Sequence, residues 1–296
     1  MNGVINVFKE AGWTSSDVVN KLKGMLHQRK IGHGGTLDPD AEGVLPICAG
    51  TATRLFDYIN GFHKTYVATV CFGAQTDTMD ASGAITQTAE VNLTKEEIDE
   101  ALKSFLGKIQ QIPPMYSALH VNGERLYDLA RRGETVELQP REIEIFDIQR
   151  VSEFENNRCK IRVTCSKGTY IRVICHDLGQ KLGSGAYMEY LLRERAAGLK
   201  VENALKISQI QELVDAGNLD FVVPTDEAIS FMPKVEFSPE AYKKLCNGNP
   251  IDEKFVQKAE KTDGFVRIYC NGEFFGIGEK RQNTFFVKCM LGGNKN

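Results

Sequence analysis

The sequence lacks the features that define several classes of protein. No apolar run approaches the ~20 residues that a membrane-spanning helix requires, and the opening segment MNGVINVFKE has no basic-then-apolar secretory layout. The eight cysteines form no CxxC pair and no zinc-ribbon spacing, and no internal repeat or low-complexity tract is present. We therefore expect a cytoplasmic protein with reduced, mostly buried thiols, no bound metal and no contact with a membrane.

The composition is that of an ordinary globular protein. The chain has 296 residues, of which 42% are hydrophobic and 25% charged, so it can form one large domain or a medium and a small one. Its net charge of -3, taken alone, argues against a nucleic-acid partner. Charge is nevertheless segregated, because residues 19–33 and 158–172 are strongly basic and contain no acid. These segments either form a basic groove or lie on ordinary solvated faces of helices and strands.

Hydrophobic periodicity, capping residues and turn residues predict an α+β fold. Thr14 and Asp17 have the spacing of a helix start, Thr94 and Glu97 form a second such pair, and Asn156-Asn157 separate two alternating segments as in a hairpin. The predicted strands cover residues 3–8, 65–73, 143–151 and 158–165, and the predicted helices cover 15–25, 94–106 and 170–182. A boundary is expected near residues 232 and 233, beyond which FVRIYC and FFGIG suit a small β-domain.

Residues 30–43 (KIGHGGTLDPDAEG) form a polar loop with several glycines and a proline, a kind of segment that tends to carry function. Asp38 precedes Pro39 and is therefore restricted to an extended or turn conformation. A phosphate loop is excluded because no Gly-Lys-Ser/Thr follows, and GHGG is not the dinucleotide-binding GxGxxG motif. From the residues alone, Asp38 is either a catalytic carboxylate or an ordinary turn-forming residue.

The run KIGHGGTLDPDAEGVLPICAG resembles the signature of the TruB family of tRNA pseudouridine synthases. Further blocks match that family in the same order, namely HKTYVATVCFGAQTDTMDASG, IQQIPPMYSALHVNGERLYDLARRG, SKGTYIRVICHDLGQKLG and AYMEYLLRERAAGL. The resemblance implies a mixed α/β catalytic domain on an antiparallel sheet over residues 1–232. It also implies a small PUA-like, RNA-binding β-domain over residues 233–296.

The resemblance further implies an activity, the isomerisation of uridine-55 in the T arm of tRNA to pseudouridine, without a cofactor or a metal. The target lies inside a folded loop, so the base must be flipped out. The family's essential aspartate corresponds to Asp38, which attacks the sugar C1′, attacks the uracil C6 or removes a proton from C2′. A charge-assisted partner of that carboxylate is implied at Arg172, and a tyrosine that stacks on the flipped base at Tyr66.

A set of RNA-binding residues is implied in the same way. Tyr170 is expected beside the arginine and under the flipped uracil, and His33 near the flipped nucleotides. The insert at 109–133 resembles a segment that closes over the RNA arm, and its His120 departs from the lysine common in bacterial relatives. Asp77 is expected to order the active-site loop. The residues of the insert that belong to this closing segment are Tyr116, Arg125 and Arg131. The candidates for phosphate contacts are Lys21, Lys23, Arg29, Lys30, Lys64 and Arg193.

Two other interpretations agree with parts of the sequence. A nucleoside or glycoside hydrolase cleaves the same bond, usually with two carboxylates, and Asp40 and Glu42 lie near Asp38 in the chain. A non-catalytic tRNA-binding or tRNA-folding protein would act mainly through the C-terminal domain. Under the main interpretation we expect a monomer that binds the T arm of tRNA through a basic groove.

Overall fold

The computed structural model describes residues 1–117, 120, 121, 124–126, 129, 132, 134, 136, 138–260 and 264–292. The helices in these ranges are α1 (Ser15–Met25), α2 (Phe56–Asn60), α3 (Lys95–Lys103), α4 (Ile171–Lys181), α5 (Ile207–Asp215) and α6 (Tyr242–Cys246). None of these helices is long and apolar enough to cross a membrane. The strands are β1 (Gly3–Lys9), β2 (Ile31–His33), β3 (Glu42–Ala49), β4 (Lys64–Phe72), β5 (Ala74–Thr76), β6 (Ile85–Thr88), β7 (Gly107–Gln111), β8 (His120–Val121), β9 (Glu124–Arg125), β10 (Arg141–Arg150), β11 (Arg158–Cys165), β12 (Ala186–Ala196), β13 (Leu199–Lys200), β14 (Val222–Val223), β15 (Lys234–Phe237), β16 (Ile251–Asp252), β17 (Val256–Ala259), β18 (Phe265–Cys270), β19 (Glu273–Arg281) and β20 (Thr284–Met290).

Two helices begin at the capping pairs that the sequence predicts. The Asp17 N–H donates to Thr14 Oγ1 at 3.1 Å, and the Thr14 N–H donates to Asp17 Oδ2 at 2.9 Å. Thr94 and Glu97 form the same reciprocal pair before α3. These side chains satisfy first-turn N–H groups that have no partner within the helix. The sequence therefore determines where α1 and α3 start.

The N-terminal sheet has ten strands, in the order β14-β1-β3-β12-β4-β11-β10-β7, with β13 added to β12 and β2 added to β3. All of its pairs are antiparallel except β3 with β12. The predicted antiparallel catalytic sheet is thus confirmed, with one parallel pair as the difference. That pair joins the strand after the Asp38 loop to a distant part of the chain.

Helices α3 and α4 cover one face of this sheet. Ile98 and Leu102 of α3 pack with Ile174 and Leu178 of α4 against inward residues of β4, β10, β11 and β12. A second core forms where α1 and α5 cover β1 and β3. Burial of these apolar stripes fixes α4 on the sheet, and the first turn of α4 carries Arg172.

The C-terminal sheet has six strands, in the order β16-β20-β19-β18-β15-β17, around its own apolar core. The predicted boundary near residue 232 falls between the two sheets. A separate apolar cluster joins them, in which Ile59 of α2 packs with Ile277 of β19. Arg54 Nη1 also donates to Met290 O at 2.9 Å. The two sheets therefore share a packed interface.

Part of the insert at 109–133 lies within the described residues. Its short strands β8 and β9 pair with each other. Arg131 and the side chains of His120 and Arg125 lie outside the described residues. Closure of this segment over RNA stays a prediction.

Gly179 sets how closely α4 approaches β12. A Cβ at this position would lie 2.1 Å from the backbone N of Ala186. We expect Gly179→Ala to lower the free energy of unfolding by about 2 kcal/mol, because backbone atoms must shift to admit the methyl group. Gly24→Ala in α1 is the matched control, since its Cβ would meet nothing within 4 Å. The control should gain about 0.5–1 kcal/mol of stability. Urea unfolding measures both changes, and equal effects would contradict this packing.

Candidate active site

A cavity of about 550 Å³ lies where the loop at 35–38, strands β4 and β10 and the start of α4 meet. Residues from separate sequence blocks come together in its wall. The predicted site residues that line it are Asp38, Lys64, Tyr66, Tyr170, Arg172 and Arg193.

The loop that carries Asp38 is fixed by buried hydrogen bonds on both sides. Ser15 Oγ donates to Leu37 O at 3.2 Å and accepts from the Leu37 N–H at 3.0 Å. The fully buried Lys9 ammonium donates to Pro39 O at 2.8 Å. The neighbours of Asp38 are therefore held in place, whereas 46% of the Asp38 side chain stays exposed.

Arg193 holds the same loop from β12. Its fully buried guanidinium donates to Val44 O at 2.6 Å and to the carbonyls of Thr36 and Gly35, each at 3.2 Å. Gly43 permits the close approach of the β12 backbone to β3, because a Cβ there would lie 2.4 Å from Arg193 O. The placement disagrees with the expected phosphate contact, since the guanidinium is buried and already engaged with backbone carbonyls. Arg193 is therefore corrected to a residue that positions the Asp38 loop.

Arg172 contacts two carboxylates. Its Nη1 lies 2.9 Å from Asp80 Oδ2 and 3.6 Å from Asp38 Oδ2, and its Nη2 donates to the Tyr116 carbonyl. The Asp80 side chain is 16% exposed, against 46% for Asp38. Asp80 thus anchors the guanidinium, and the guanidinium faces the more open carboxylate of Asp38.

Asp80 is stabilised as an anion by its neighbours. Its Oδ1 accepts from Thr78 Oγ1 at 2.7 Å and from Ser82 Oγ at 2.5 Å. Burial acts to raise the pKa of Asp80, but these hydrogen bonds and the Arg172 guanidinium outweigh it and lower the pKa below its ordinary value. Asp80 is not one of the described residues that line the cavity. Asp80 is therefore suited to orienting Arg172 rather than to contacting a ligand.

Two tyrosines contribute aromatic surface to the cavity. Tyr66 lies on β4 and is 8% exposed, and burial raises its pKa although Arg193 acts in the opposite direction. The Tyr170 N–H donates to Gln111 Oε1 at 2.8 Å, and Gln111 Nε2 donates to Tyr170 O at 3.1 Å. Arg172 Cζ lies 5.9 Å from the centre of the Tyr170 ring. Tyr170 is therefore beside Arg172, as expected.

The remaining predicted RNA contacts are not among the described residues of the cavity wall. His33 lies on β2, where burial and, to a smaller extent, Arg193 lower its pKa and favour the neutral ring. Lys21 lines a separate groove between α1 and α5. Contacts of RNA with the surface formed by α1 and the segment before β2 stay predictions. The exposed bases on it are Lys21, Arg29 and Lys30, and Lys23 is half-buried.

Comparison with known proteins identifies the family to which these elements belong. Residues 23–171 match the model described as TruB family pseudouridylate synthase (N terminal domain), and residues 233–284 match Pseudouridine synthase II TruB, C-terminal. The tRNA pseudouridine synthase B of Streptococcus thermophilus (strain CNRZ 1066) is 42% identical over 296 residues, covering 98% of this chain and 99% of that protein. The chain belongs to the TruB family of pseudouridylate synthases.

Further similarities extend over most of the TruB chain. The tRNA pseudouridine synthase B of Lactococcus lactis subsp. cremoris (strain MG1363) is 46% identical over 276 residues, covering 90% of this chain and 84% of that protein. A crystal structure of a Cbf5-Nop10-Gar1 complex matches with a TM-score of 0.77 and 25% identity, covering 98% of this chain and 84% of that one. The predicted family, the predicted fold class and the prediction of a pseudouridine synthase are thereby confirmed.

Sequence reasoning missed residues that hold the TruB site together. It singled out Asp77 in the segment TDTMDASG, whose Oδ1 accepts from the Ala84 N–H at 2.9 Å, but not Asp80, which binds Arg172. The sequence does not show which of these two aspartates contacts Arg172, because this depends on the conformation of the turn between β5 and β6. Gln111 gave no signal either, since its amide acts on the backbone of a residue far along the chain.

The lowered pKa of Asp80 predicts acid-dependent stability in this synthase. A carboxyl with a depressed pKa contributes stability above its unfolded pKa of about 3.9 and loses it as the pH falls through the folded value. We expect Asp80→Asn to lower the free energy of unfolding at pH 5 by about 2–3 kcal/mol, because the buried Arg172 loses its partner. The difference between wild type and variant should be smaller at pH 3 than at pH 5. Urea titrations at both pH values measure it, and an unchanged difference would argue against the ion pair.

Proposed function

We propose that this synthase isomerises uridine-55 in the T arm of tRNA to pseudouridine, with Asp38 as the reacting carboxylate. The observation that carries the proposal is the geometry around that side chain. Asp38 Oδ2 lies 3.6 Å from Nη1 of the buried Arg172, in the wall of a cavity that Tyr66 and Tyr170 share. The name of the relatives, tRNA pseudouridine synthase B, supports tRNA as the substrate.

The reaction moves the bond between base and sugar from N1 to C5 of the uracil. The N1–C1′ bond breaks, the uracil turns within the cavity and a C5–C1′ bond forms, while C5 loses a proton and N1 gains one. Attack of Asp38 on C1′, attack on C6 and proton removal from C2′ all need an ionised carboxylate against the nucleotide. The guanidinium of Arg172 supplies the opposite charge that such a carboxylate needs when water is excluded.

The cavity suits a base that has left its stack. Extrusion of uridine-55 from the folded loop costs a few kcal/mol, and an aromatic face contributes about 1–3 kcal/mol per stacked base. Tyr66 and Tyr170 offer such faces beside Asp38. Because burial raises the pKa of Tyr66, its hydroxyl stays neutral beside the flipped base. His33, whose neutral ring is favoured, contributes a further contact to the flipped nucleotides.

The same proposal assigns a role to each of the two domains. Residues 1–232 act as the catalytic domain, and residues 233–296 act as a PUA-like domain that adds affinity for RNA. The exposed bases of α1 and of the segment before β2 contact phosphates of the T arm. The enzyme works as a monomer, in the cytoplasm, without a cofactor or a metal.

An unmodified T-arm stem-loop tests the proposal. The enzyme is incubated with the RNA, and liquid chromatography then separates any free base from the RNA. Because pseudouridine and uridine have the same mass, pseudouridine is located by carbodiimide labelling followed by primer extension. We expect pseudouridine at position 55 and no free uracil. Free uracil would instead support a nucleoside hydrolase, and binding without any change in the RNA would support a non-catalytic tRNA-binding protein.

A further inference from the structure

The cavity wall carries more positive charge than the chemistry at Asp38 requires. Its charged side chains are Asp38, Lys64, Arg141, Glu142, Lys167, Arg172 and Arg193. Some of these charges are already matched, because Arg172 pairs with Asp80 and Glu142 pairs with Lys108 at 3.0 Å. Cations therefore outnumber carboxylates in the wall, and the excess indicates an anionic ligand.

Three of the cations in the wall come from neighbouring segments of the sheet. Lys64 pairs across the sheet with Cys165, the last residue of β11, and Lys167 follows two residues later. The turn that holds Lys167 is bonded to β10, since the Ser166 N–H donates to Glu144 O at 2.9 Å. Arg141 is the first residue of that same strand. Backbone pairing thus brings side chains from three strands or turns to one place.

Two of these cations are exposed to solvent. Arg141 and Lys167 are exposed, and among the described residues neither forms an ion pair. By contrast, Arg158 and Arg162 of β11 are both neutralised by glutamates of β12. Arg141 and Lys167 differ from Arg158 and Arg162 in that they line the cavity with exposed charges, where a ligand can reach them.

Lys64 lines the same cavity and is 8% exposed. Burial lowers its pKa to about 8, and the positive charges of Arg193 and Lys167 lower it further. An anion that enters the cavity would stabilise the charged form of the Lys64 side chain. The ligand that the proposed function brings there is a nucleotide, which carries a phosphodiester on each side of its sugar.

We infer that Lys64, Arg141 and Lys167 form a phosphate site that holds the RNA backbone beside the uridine in the cavity. The inference rests on the proposed function and adds the residues that fix the register of the strand. Phosphate contacts position a nucleic acid without reading its sequence. This site therefore sets which nucleotide enters the cavity, while the aromatic faces hold its base.

Charge-removing variants of the exposed residues test the inference. The dissociation constant of an unmodified T-arm stem-loop is measured between 50 and 200 mM salt for wild type, Arg141→Gln, Lys167→Gln and the double variant. Each phosphate contact to a single strand contributes about 0.7 to the slope of log K against log salt, so the double variant should lose about 1.4. Lys181→Gln is the matched control, because Lys181 is exposed at the far end of α4, about 15 Å along the helix from Ile171. A loss in the double variant no larger than that of the control would overturn the inference.

An RNA with uncharged linkages tests whether the ligand of these residues is the RNA phosphate or another anion. A stem-loop with methylphosphonate linkages on both sides of uridine-55 should bind wild type less tightly, and the double variant should lose nothing further from it. If the methylphosphonate linkages and the double substitution each lower the affinity independently, so that the two losses multiply, the residues do not contact these phosphates and act elsewhere, for example on an acidic protein. The RNA affinity of Lys64→Met is measured only after thermal unfolding shows that this variant folds. If it does not fold, the Arg141 and Lys167 variants alone test the phosphate site.

The same assay separates failure of this inference from failure of the proposed function. If wild type forms pseudouridine and the variants behave like Lys181→Gln, only the phosphate site is wrong. If wild type forms no pseudouridine although the slopes change as expected, only the proposed reaction is wrong.

Discussion

Asp38→Asn is expected to abolish pseudouridine formation while RNA binding persists. The amide has nearly the same shape as the carboxylate, and the bonds from Ser15, Lys9 and Arg193 that hold the loop go to neighbouring residues. An amide cannot attack carbon or accept a proton as a carboxylate does. Removal of one essential catalytic group lowers the turnover of enzymes by on the order of 10⁴-fold, so single-turnover assays should show a loss of this size.

Asp40→Asn is the matched control for this variant. Asp40 lies in the same loop, is exposed and is not among the described residues of the cavity wall. The same chemical change there should leave the single-turnover rate near that of wild type. A rate near that of wild type in both variants would show that Asp38 is a turn residue. Equal losses would show that the loop as a whole, not one carboxylate, is sensitive to charge.

Arg172→Met is expected to impair both stability and rate. Its guanidinium binds Asp80 at 2.9 Å, faces Asp38 at 3.6 Å and donates to the Tyr116 carbonyl, and methionine replaces none of these contacts. The partly buried Asp80 loses its partner, which should lower the free energy of unfolding by about 3 kcal/mol. Loss of a preorganised charge at the reacting centre should lower the single-turnover rate by about 10²–10³-fold.

Arg150→Met separates these two effects. Arg150 forms a two-fold hydrogen bond with Asp99, whose side chain is 44% exposed, at the end of β10 away from Arg141. Its loss should lower stability by about 1 kcal/mol, because solvent screens a pair whose carboxylate is 44% exposed, and should leave the rate unchanged. Arg172→Lys keeps the charge but not the planar fork, so we expect partial recovery of stability and little recovery of rate. An unimpaired rate in Arg172→Met would remove the arginine from the mechanism.

The elements that the sequence predicts well are those with local signals. The capping pairs at Thr14 and Thr94 locate the starts of α1 and α3, and the Asn156-Asn157 turn locates the hairpin of β10 and β11. Such features depend on residues within a few positions of each other. The loop motif around Asp38 and its link to Arg172 came from family resemblance rather than from periodicity.

The features that the sequence does not predict arise from contacts between distant segments. Arg193 was expected to face RNA, yet the parallel pairing of β3 with β12 turns it onto the carbonyls of the Asp38 loop. Asp80 could not be chosen over Asp77 without the turn that aims it at Arg172. The net charge of -3 suggested no nucleic-acid partner, but it averages over a cavity wall with more cations than carboxylates and over neutralised pairs elsewhere.

Pseudouridine mapping on a full-length unmodified tRNA is the most direct test of the central claim, that Asp38 converts uridine-55 in this cavity. The tRNA is treated with wild type and with Asp38→Asn at equal, saturating concentrations, and every uridine is examined. The account predicts pseudouridine at position 55 alone with wild type and at no position with the variant. Pseudouridine made by Asp38→Asn, or formed by wild type only at other positions, would contradict it.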